Sequence, residues 1–142
     1  MKALHLNLMK KWFNLTLQEV KKEEYRDITP YWANRLLCMD DGANLNKCYS
    51  PETIEFLCIS LQKLKEFNDN SIKEVFGKFH IKFKKYNYIV FSNGYKSLDK
   101  VPRFIIENKG VTIGMGIEEW GFVEQTPKFI IKHGIIIEKH NC

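Results

Sequence analysis

The first third of the chain changes repeatedly between β-like and helical patterns of apolar residues. Residues 3–8 alternate apolar with polar side chains, which predicts a strand. Residues 9–20 place four large apolar side chains at helical spacing, which predicts an amphipathic helix. Residues 21–28 are rich in charge but include β-prone side chains, so a short strand or extended segment is expected before a second helix that begins at Pro30.

The middle of the chain is helical in pattern. Residues 38–50 are polar and contain an Asp-Gly turn signal, which predicts a loop. A helix is predicted from a cap at Ser50 to about Phe67, and a shorter one from a cap at Ser71 to Gly77. The longer helix has one apolar face, formed by Ile54, Leu57, Cys58, Leu61 and Leu64.

The last part of the chain has a β pattern. Four strands are predicted, over residues 79–83, 86–93, 103–116 and 128–140. Three glycines lie within "GVTIGMG", and glycine inside a strand indicates a bulge or a sharp bend of the kind that closes a barrel. The expected fold is α+β, a mostly antiparallel β-barrel with helices packed on it.

Composition adds few constraints. The 142 residues, 44% hydrophobic and 27% charged, predict one soluble domain over residues 1–142 that needs no cofactor, metal or disulfide to fold. The four cysteines match no zinc spacing, and Cys58 is expected to be a buried free thiol. No apolar run is long enough to span a membrane and no targeting segment is recognised, so no membrane contact and a cytoplasmic location are expected.

The net charge of +5 indicates a mild preference for anionic partners. Residues 73–88 interleave five lysines with five aromatic residues, a composition found on nucleic-acid-binding surfaces. The same segment alternates as a half-buried strand does, with Phe79, Ile81 and Phe83 on one face and charged residues on the other. The strand interpretation is favoured, and a solvated lysine face remains compatible with binding.

The order of the motifs is more informative than any one of them. A strand leads into a helix with Trp12-Phe13, followed by "KKEEYR", "PYW", "VFSNGY", "IIENKGVTIGMGIEEWG" and finally "KFIIKHGIII". This order resembles the ASCH domain family of the PUA-like superfamily, whose K-x-x-E-x-R element is matched by Lys21, Glu24 and Arg26. The resemblance covers residues 1–35 and 86–138. Residues 38–85 would then be a helical insertion.

The sequence departs from the family pattern at the turn before the K-x-x-E-x-R element. Glu19-Val20 stands where the family often has a glycine turn.

The resemblance implies a cleft between the barrel and the first helices that binds RNA or a nucleotide with a modified base. Glu24 and Arg26 are two apart in a strand, so they share a face with Lys22, while Lys21 lies on the other face. The ligand-binding residues predicted for the cleft are Trp12, Lys21, Glu24, Arg26, Asn93 and Trp120. The alternative is that Glu24 and Arg26 form only an ion pair that fastens the first helix to the barrel.

Two rival functions stay open. Some small family members are amidohydrolases that deacetylate acetylcytidine with a lysine, a threonine and a glutamate, so Lys21 and Glu24 are candidate catalytic residues. Glu24 occupies the threonine position, however, and a carboxylate cannot replace a hydroxyl nucleophile. The other rival is a protein–protein module that presents the apolar face of the helix at residues 52–67.

The segment after the glycine-rich strand leaves two further roles open. Glu118, Glu119 or Glu124 can stand in for the later acid of the amidohydrolases, and the spacing does not choose among them. Trp120-Gly121, in "EEWG", is either a lid over the cleft or a plug in the core.

Overall fold

The computed structural model describes residues 2–94, 101–115 and 126–142. Its strands are β1 (Ala3–Leu8), β2 (Glu23–Asp27), β3 (Leu37–Met39), β4 (Ile81–Phe83), β5 (Tyr88–Asn93), β6 (Arg103–Gly114) and β7 (Lys128–His140). Its helices are α1 (Lys10–Leu17), α2 (Pro30–Leu36), α3 (Leu45–Cys48), α4 (Pro51–Gln62) and α5 (Asp69–Phe79).

Five strands form one curled sheet, a half-barrel, in the order β1-β5-β6-β7-β2. The β1–β5 pair is parallel and the other three pairs are antiparallel. The pairing of β6 with β7 shifts register between Ile105 and Gly110, and Gly110 has a φ of +126°. Irregular pairing of this kind bends a sheet. The predicted α+β class and the predicted bulge in the glycine-containing strand are therefore confirmed.

The concave face of the half-barrel holds the core. Along β1 the burial alternates strictly, with Leu4, Leu6 and Leu8 buried. Phe91 and Phe104 of the neighbouring strands are fully buried, and α1 covers them because the ring of Phe13 packs edge-on against Phe104 at 5.1 Å. The two edge strands also approach each other, since Nη2 of Arg26 in β2 lies 3.5 Å from the carbonyl oxygen of Asn7 in β1.

The segment predicted as an insertion begins and ends in two strands that pair with each other. β3 pairs with β4 in a separate two-stranded sheet, and α3, α4 and α5 lie between them in the chain. The expected strand at residues 79–83 is thus present as β4, although Phe79 belongs to α5 and the strand is not part of the half-barrel. That this segment is an insertion stays a prediction.

Several predicted boundaries in this segment are wrong. The polar loop at residues 38–50 contains the end of β3 and the short helix α3. Helix α4 begins as predicted after the Ser50 cap but ends at Gln62, before Phe67. Helix α5 is capped by Asn68, whose side chain accepts from the backbone N–H of Ser71.

The far end of α5 was also misplaced. The helix passes Gly77 and ends where His80 adopts a left-handed conformation. The prediction that the helix ends at Gly77 is wrong, because His80 adopts the left-handed conformation in which glycine is usually found at a helix end.

The apolar face of α4 is packed inside the protein. Ile54, Leu57, Cys58 and Leu61 are all buried, and Leu64 packs against the same core. This face is therefore not available to a partner protein, which removes the basis for the predicted interaction module. The thiol of Cys58 is free and buried, as expected, and burial raises its pKa to about 11.

No helix within the described ranges combines the length and the hydropathy that crossing a bilayer requires.

Candidate functional site

A tight turn after α1 brings Lys21 to the centre of the candidate site. The N–H of Val20 donates to the carbonyl of Leu15, and the N–H of Glu19 donates to the carbonyl of Thr16. Glu19 itself has a φ of 61°. These features define a Schellman ending, in which the residue with positive φ is usually glycine. Glu19 therefore occupies the position that glycine usually takes in such a helix ending.

Lys21, Glu24 and Arg26 form a buried ion-paired cluster. Nζ of Lys21 lies 3.0 Å from Oε1 and 3.1 Å from Oε2 of Glu24, and Nη1 of Arg26 lies 2.7 Å from Oε1 of Glu24. The backbone N–H of Tyr25 donates to the same Oε1. Lys21 and Glu24 are each only 3% exposed. Because both oxygens of the carboxylate accept from donors and two of these donors are cationic, the cost of burying it is offset.

The predicted face of Lys21 is wrong. Strand alternation places Lys21 opposite to Glu24, but β2 begins only at Glu23 and Lys21 belongs to the turn. The lysine side chain is therefore free of the strand geometry and reaches the carboxylate three residues later.

Lys21 also meets an aromatic ring. Its Nζ lies 5.2 Å from the centroid of Trp12, within the range of a cation–π interaction. Burial lowers the pKa of Lys21; the charge and hydrogen bonds of Glu24 oppose this effect and Arg26 adds to it. Trp12, a predicted ligand residue, is thus placed beside the cluster.

His133 of β7 is the residue that the sequence prediction missed. Its backbone N–H donates to the carbonyl of Lys22, and its ring packs edge-on against Phe91 at 5.0 Å. Both ring nitrogens are buried and have no hydrogen-bond partner among the described residues. Burial lowers the pKa of His133 to about 4, while the charge of Glu24 raises it, the charge of Lys21 lowers it and the polar backbone of Lys21 raises it. The imidazole is therefore neutral at pH 7.

A cavity of about 280 Å³ opens between the end of α1 and the bulged part of β6 and β7. The lining is mostly polar and consists of Thr16, Glu19, Lys21, Lys22, Ile106, His133 and Gly134. Glu24, Arg26 and Trp12 are not among its lining residues, and Glu24 contacts the lining residue Lys21. The volume is slightly below the roughly 300–1,000 Å³ typical of small-molecule pockets, so the cavity suits one small polar ligand.

No protein-family model matches this chain, and neither curated proteins nor solved structures contain a match to it.

The remaining predicted site residues are not brought into the cluster. Asn93 ends β5, in register with Leu8, and makes no hydrogen bond to Lys21, Glu24 or Arg26. Trp120 and the candidate acids Glu118, Glu119 and Glu124 lie outside the described residues. The described part of the chain contains no group of three or more metal-ligating side chains.

A signal for His133 was present in the sequence. It follows Phe129 and Ile131 at strand spacing, and both of these residues are fully buried. A histidine on the inner face of a strand, with a glycine next to it, is a candidate for a pocket wall. Its proximity to Glu24 depends on the pairing of β2 with β7, which joins residues more than a hundred positions apart.

Proposed function

We propose that the cavity beside Lys21 and His133 binds a single nucleoside or nucleotide, with a modified base as the preferred ligand. The observation that carries the proposal is His133, which lines a polar cavity and whose two ring nitrogens have no partner among the described residues. Buried polar groups are normally paired, and a polar ligand in the cavity would supply a partner for the ring.

Charge supports an anionic or polar ligand. Lys22 lines the cavity and is exposed, and Lys132 is exposed on the strand beside it. The chain as a whole carries a net charge of +5. The volume of about 280 Å³ suits one base with its sugar rather than a dinucleotide.

The resemblance to ASCH domains supports the same ligand class. Its K-x-x-E-x-R element coincides with the buried cluster, and the curled sheet with a helix over its concave face is compatible with a PUA-like fold. Membership of that family is part of the proposal.

Binding is tested by thermal denaturation and titration calorimetry with cytidine, acetylcytidine, uridine and their monophosphates. At a concentration one hundred times Kd, a ligand stabilises the folded protein by about 2.7 kcal/mol. We expect His133→Phe to abolish this stabilisation, because it keeps the ring and removes both nitrogens. The matched control is His140→Phe, a substitution near the far end of the same strand.

The outcome for the free protein separates function from folding. Since the ring of His133 has no hydrogen bond to lose among the described residues, the unliganded His133→Phe protein should be as stable as the parent or more so. If the parent binds none of these ligands, or if His133→Phe binds as well as the parent, the proposal is wrong.

A hydrolase that acts on an acylated nucleoside is the second candidate. It is favoured because burial lowers the pKa of Lys21 and because the hydroxyl-bearing Thr16 lines the same cavity, which supplies a hydroxyl that position 24 lacks. Against it, Nζ of Lys21 is held by both oxygens of Glu24. Hydrolysis of acetylcytidine would add water across the amide and release acetate and cytidine. Release of acetate that is lost in Lys21→Met would establish this activity; intact acetylcytidine would exclude it.

A further inference from the structure

A second surface of the molecule combines arginine and aromatic side chains beside the free edge of β1. The guanidinium carbon of Arg26 lies 5.0 Å from the centroid of Trp32, and that of Arg35 lies 4.9 Å from the same centroid. Arg35 also lies 5.7 Å from the ring of Tyr31, which meets Trp32 edge-on at 5.0 Å. We call these four residues, Arg26, Tyr31, Trp32 and Arg35, the arginine–aromatic face.

The face is held rigidly by bonds to the backbone. Nη2 of Arg35 donates to the carbonyl of His5 at 2.8 Å, and the hydroxyl of Tyr86 donates to the carbonyl of Arg35 at 2.7 Å. Nζ of the neighbouring Lys84 donates to the carbonyl of Asn34 at 2.8 Å. A ligand that binds here therefore finds ordered side chains, and the entropic cost of arranging them has already been met by folding.

The charge of this face is largely uncompensated. Arg26 is neutralised by Glu24, but Arg35, Lys84 and Lys2 have no carboxylate partner within the described ranges. Lys84 lies beside Arg35, because its Nζ donates to the carbonyl of Asn34 and its N–H donates to the carbonyl of Leu36. Burial lowers the pKa of Lys84, and the charges of Lys2 and Arg35 lower it further while Cys38 opposes this effect. Cations that have no counter-ion in the described part of the chain attract a polyanion.

A role in capping the exposed edge of β1 explains the positions of the two arginines, but it does not explain the other side chains of this surface. Arg35 and Arg26 bond to the carbonyls of His5 and Asn7, which blocks this edge of β1 against pairing with another strand. That role requires neither an aromatic ring at the surface nor the two lysines. Tyr31 is nonetheless 62% exposed, although its ring is fixed by Trp32 and Arg35.

We infer that the arginine–aromatic face binds single-stranded nucleic acid, with a base stacked on Tyr31 and phosphates bound by Arg35, Lys2 and Lys84. Exposed aromatic rings within a cationic surface are the means by which proteins bind single strands without reading sequence. The inference extends the proposed function from one nucleoside to a strand, and it rests on that function only for the ligand class. Contacts connect the two sites, because Glu24 binds both Lys21 of the cavity and Arg26 of the face.

Fluorescence anisotropy with labelled ten-nucleotide oligo(U) and oligo(dT), and with a duplex of the same length, tests the inference. We expect the single strands to bind and Tyr31→Ala to weaken them about tenfold, since one stacked base contributes roughly 1–3 kcal/mol. The matched control is Phe56→Ala, which removes another aromatic ring that is also 62% exposed but lies on α4. Tighter binding of oligo(U) than of oligo(dT) would identify RNA as the partner, and equal binding would indicate any single strand.

Salt provides a second readout. Arg35→Gln should lower the dependence of log K on log salt by about 0.7, the contribution of one phosphate contact on a single strand. Both variants are compared with the parent by thermal denaturation, and Tyr31→Ala is the decisive one because its side chain is largely exposed. If Tyr31→Ala binds strands as Phe56→Ala does, or if the parent binds none at 50 mM salt, the inference is overturned.

The two proposals fail separately. If nucleosides bind in a manner that depends on His133, but nucleic-acid binding does not depend on Tyr31, the proposal for the cavity stands and the inference for the arginine–aromatic face is wrong. Strand binding that depends on Tyr31 without any nucleoside binding would retain the face and reject the cavity.

Discussion

Glu24 and His133 lie on adjacent strands with their polar atoms buried, but these atoms differ in their hydrogen bonding. Glu24 accepts four hydrogen bonds from Lys21, Tyr25 and Arg26, three of them at Oε1 and one at Oε2. Neither ring nitrogen of His133 is paired within the described residues. A satisfied buried charge holds a fold together, whereas an unsatisfied buried group costs the fold stability and is free for a ligand. The cluster of Lys21, Glu24 and Arg26 thus stabilises the fold, and His133 is the candidate residue for contact with a ligand.

The largest effect is expected from removing the carboxylate at the centre of the cluster. Glu24→Leu leaves the ammonium of Lys21 buried without its partner, so we expect the free energy of unfolding to fall by about 3–5 kcal/mol. Urea denaturation measures this loss. The matched control is Glu23→Leu, because Glu23 is the adjacent residue but is only half-buried and bonds to the hydroxyl of Tyr25.

A double variant sharpens the same comparison. Lys21→Met combined with Glu24→Leu removes both charges together, and such replacements in buried pairs are often neutral. The double variant should therefore be more stable than Glu24→Leu alone. If the two are equally unstable, the cluster does not stabilise the fold through the pairing of these charges.

The second effect is a dependence of stability on pH that comes from His133. Its pKa is about 4 in the folded protein and 6.5 ordinarily. As the pH falls below 6.5 the unfolded chain takes up a proton that the folded protein takes up only near pH 4, so the free energy of unfolding decreases across this interval. The full decrease is about 3 kcal/mol, since one pKa unit corresponds to about 1.4 kcal/mol.

The measurement is a comparison of the parent with His133→Phe by urea denaturation at pH 7, 5.5 and 4.5. The advantage of the variant over the parent should grow as the pH falls. A constant difference between the two proteins would show that His133 is protonated in the folded state at its ordinary pKa, and it would remove the contrast with Glu24.

The fold and the cluster were predictable where the signals are local. The alternation in β1, the Ser50 cap of α4 and the ion pair of Glu24 with Arg26 each depend on residues that are close in the sequence. The same local alternation gave the wrong face for Lys21, because Lys21 lies in the turn before β2. Predictions failed where a residue took a conformation that its type disfavours, as His80 does at the end of α5. They also failed where a role depends on long-range pairing, as with His133, because no local pattern shows which strands become neighbours.

The smallest effect concerns the turn that places Lys21 between these two residues. Glu19 holds a left-handed conformation with a φ of 61°, which strains a residue with a Cβ and suits glycine. We expect Glu19→Gly to raise the free energy of unfolding by about 1 kcal/mol, measured by urea denaturation. Gln18→Gly is the control, because Gln18 has a φ of −81° and should lose stability when it is replaced.

The same substitution acts on the cavity. Glu19 is one of its lining residues, so Glu19→Gly also removes a carboxylate from beside the ligand. Nucleoside monophosphates should then bind more tightly, while uncharged nucleosides should bind about as before, since only the phosphate is repelled by the carboxylate. A stabilised protein with unchanged monophosphate affinity would confirm the strain in the turn and would mean that the phosphate does not lie near α1.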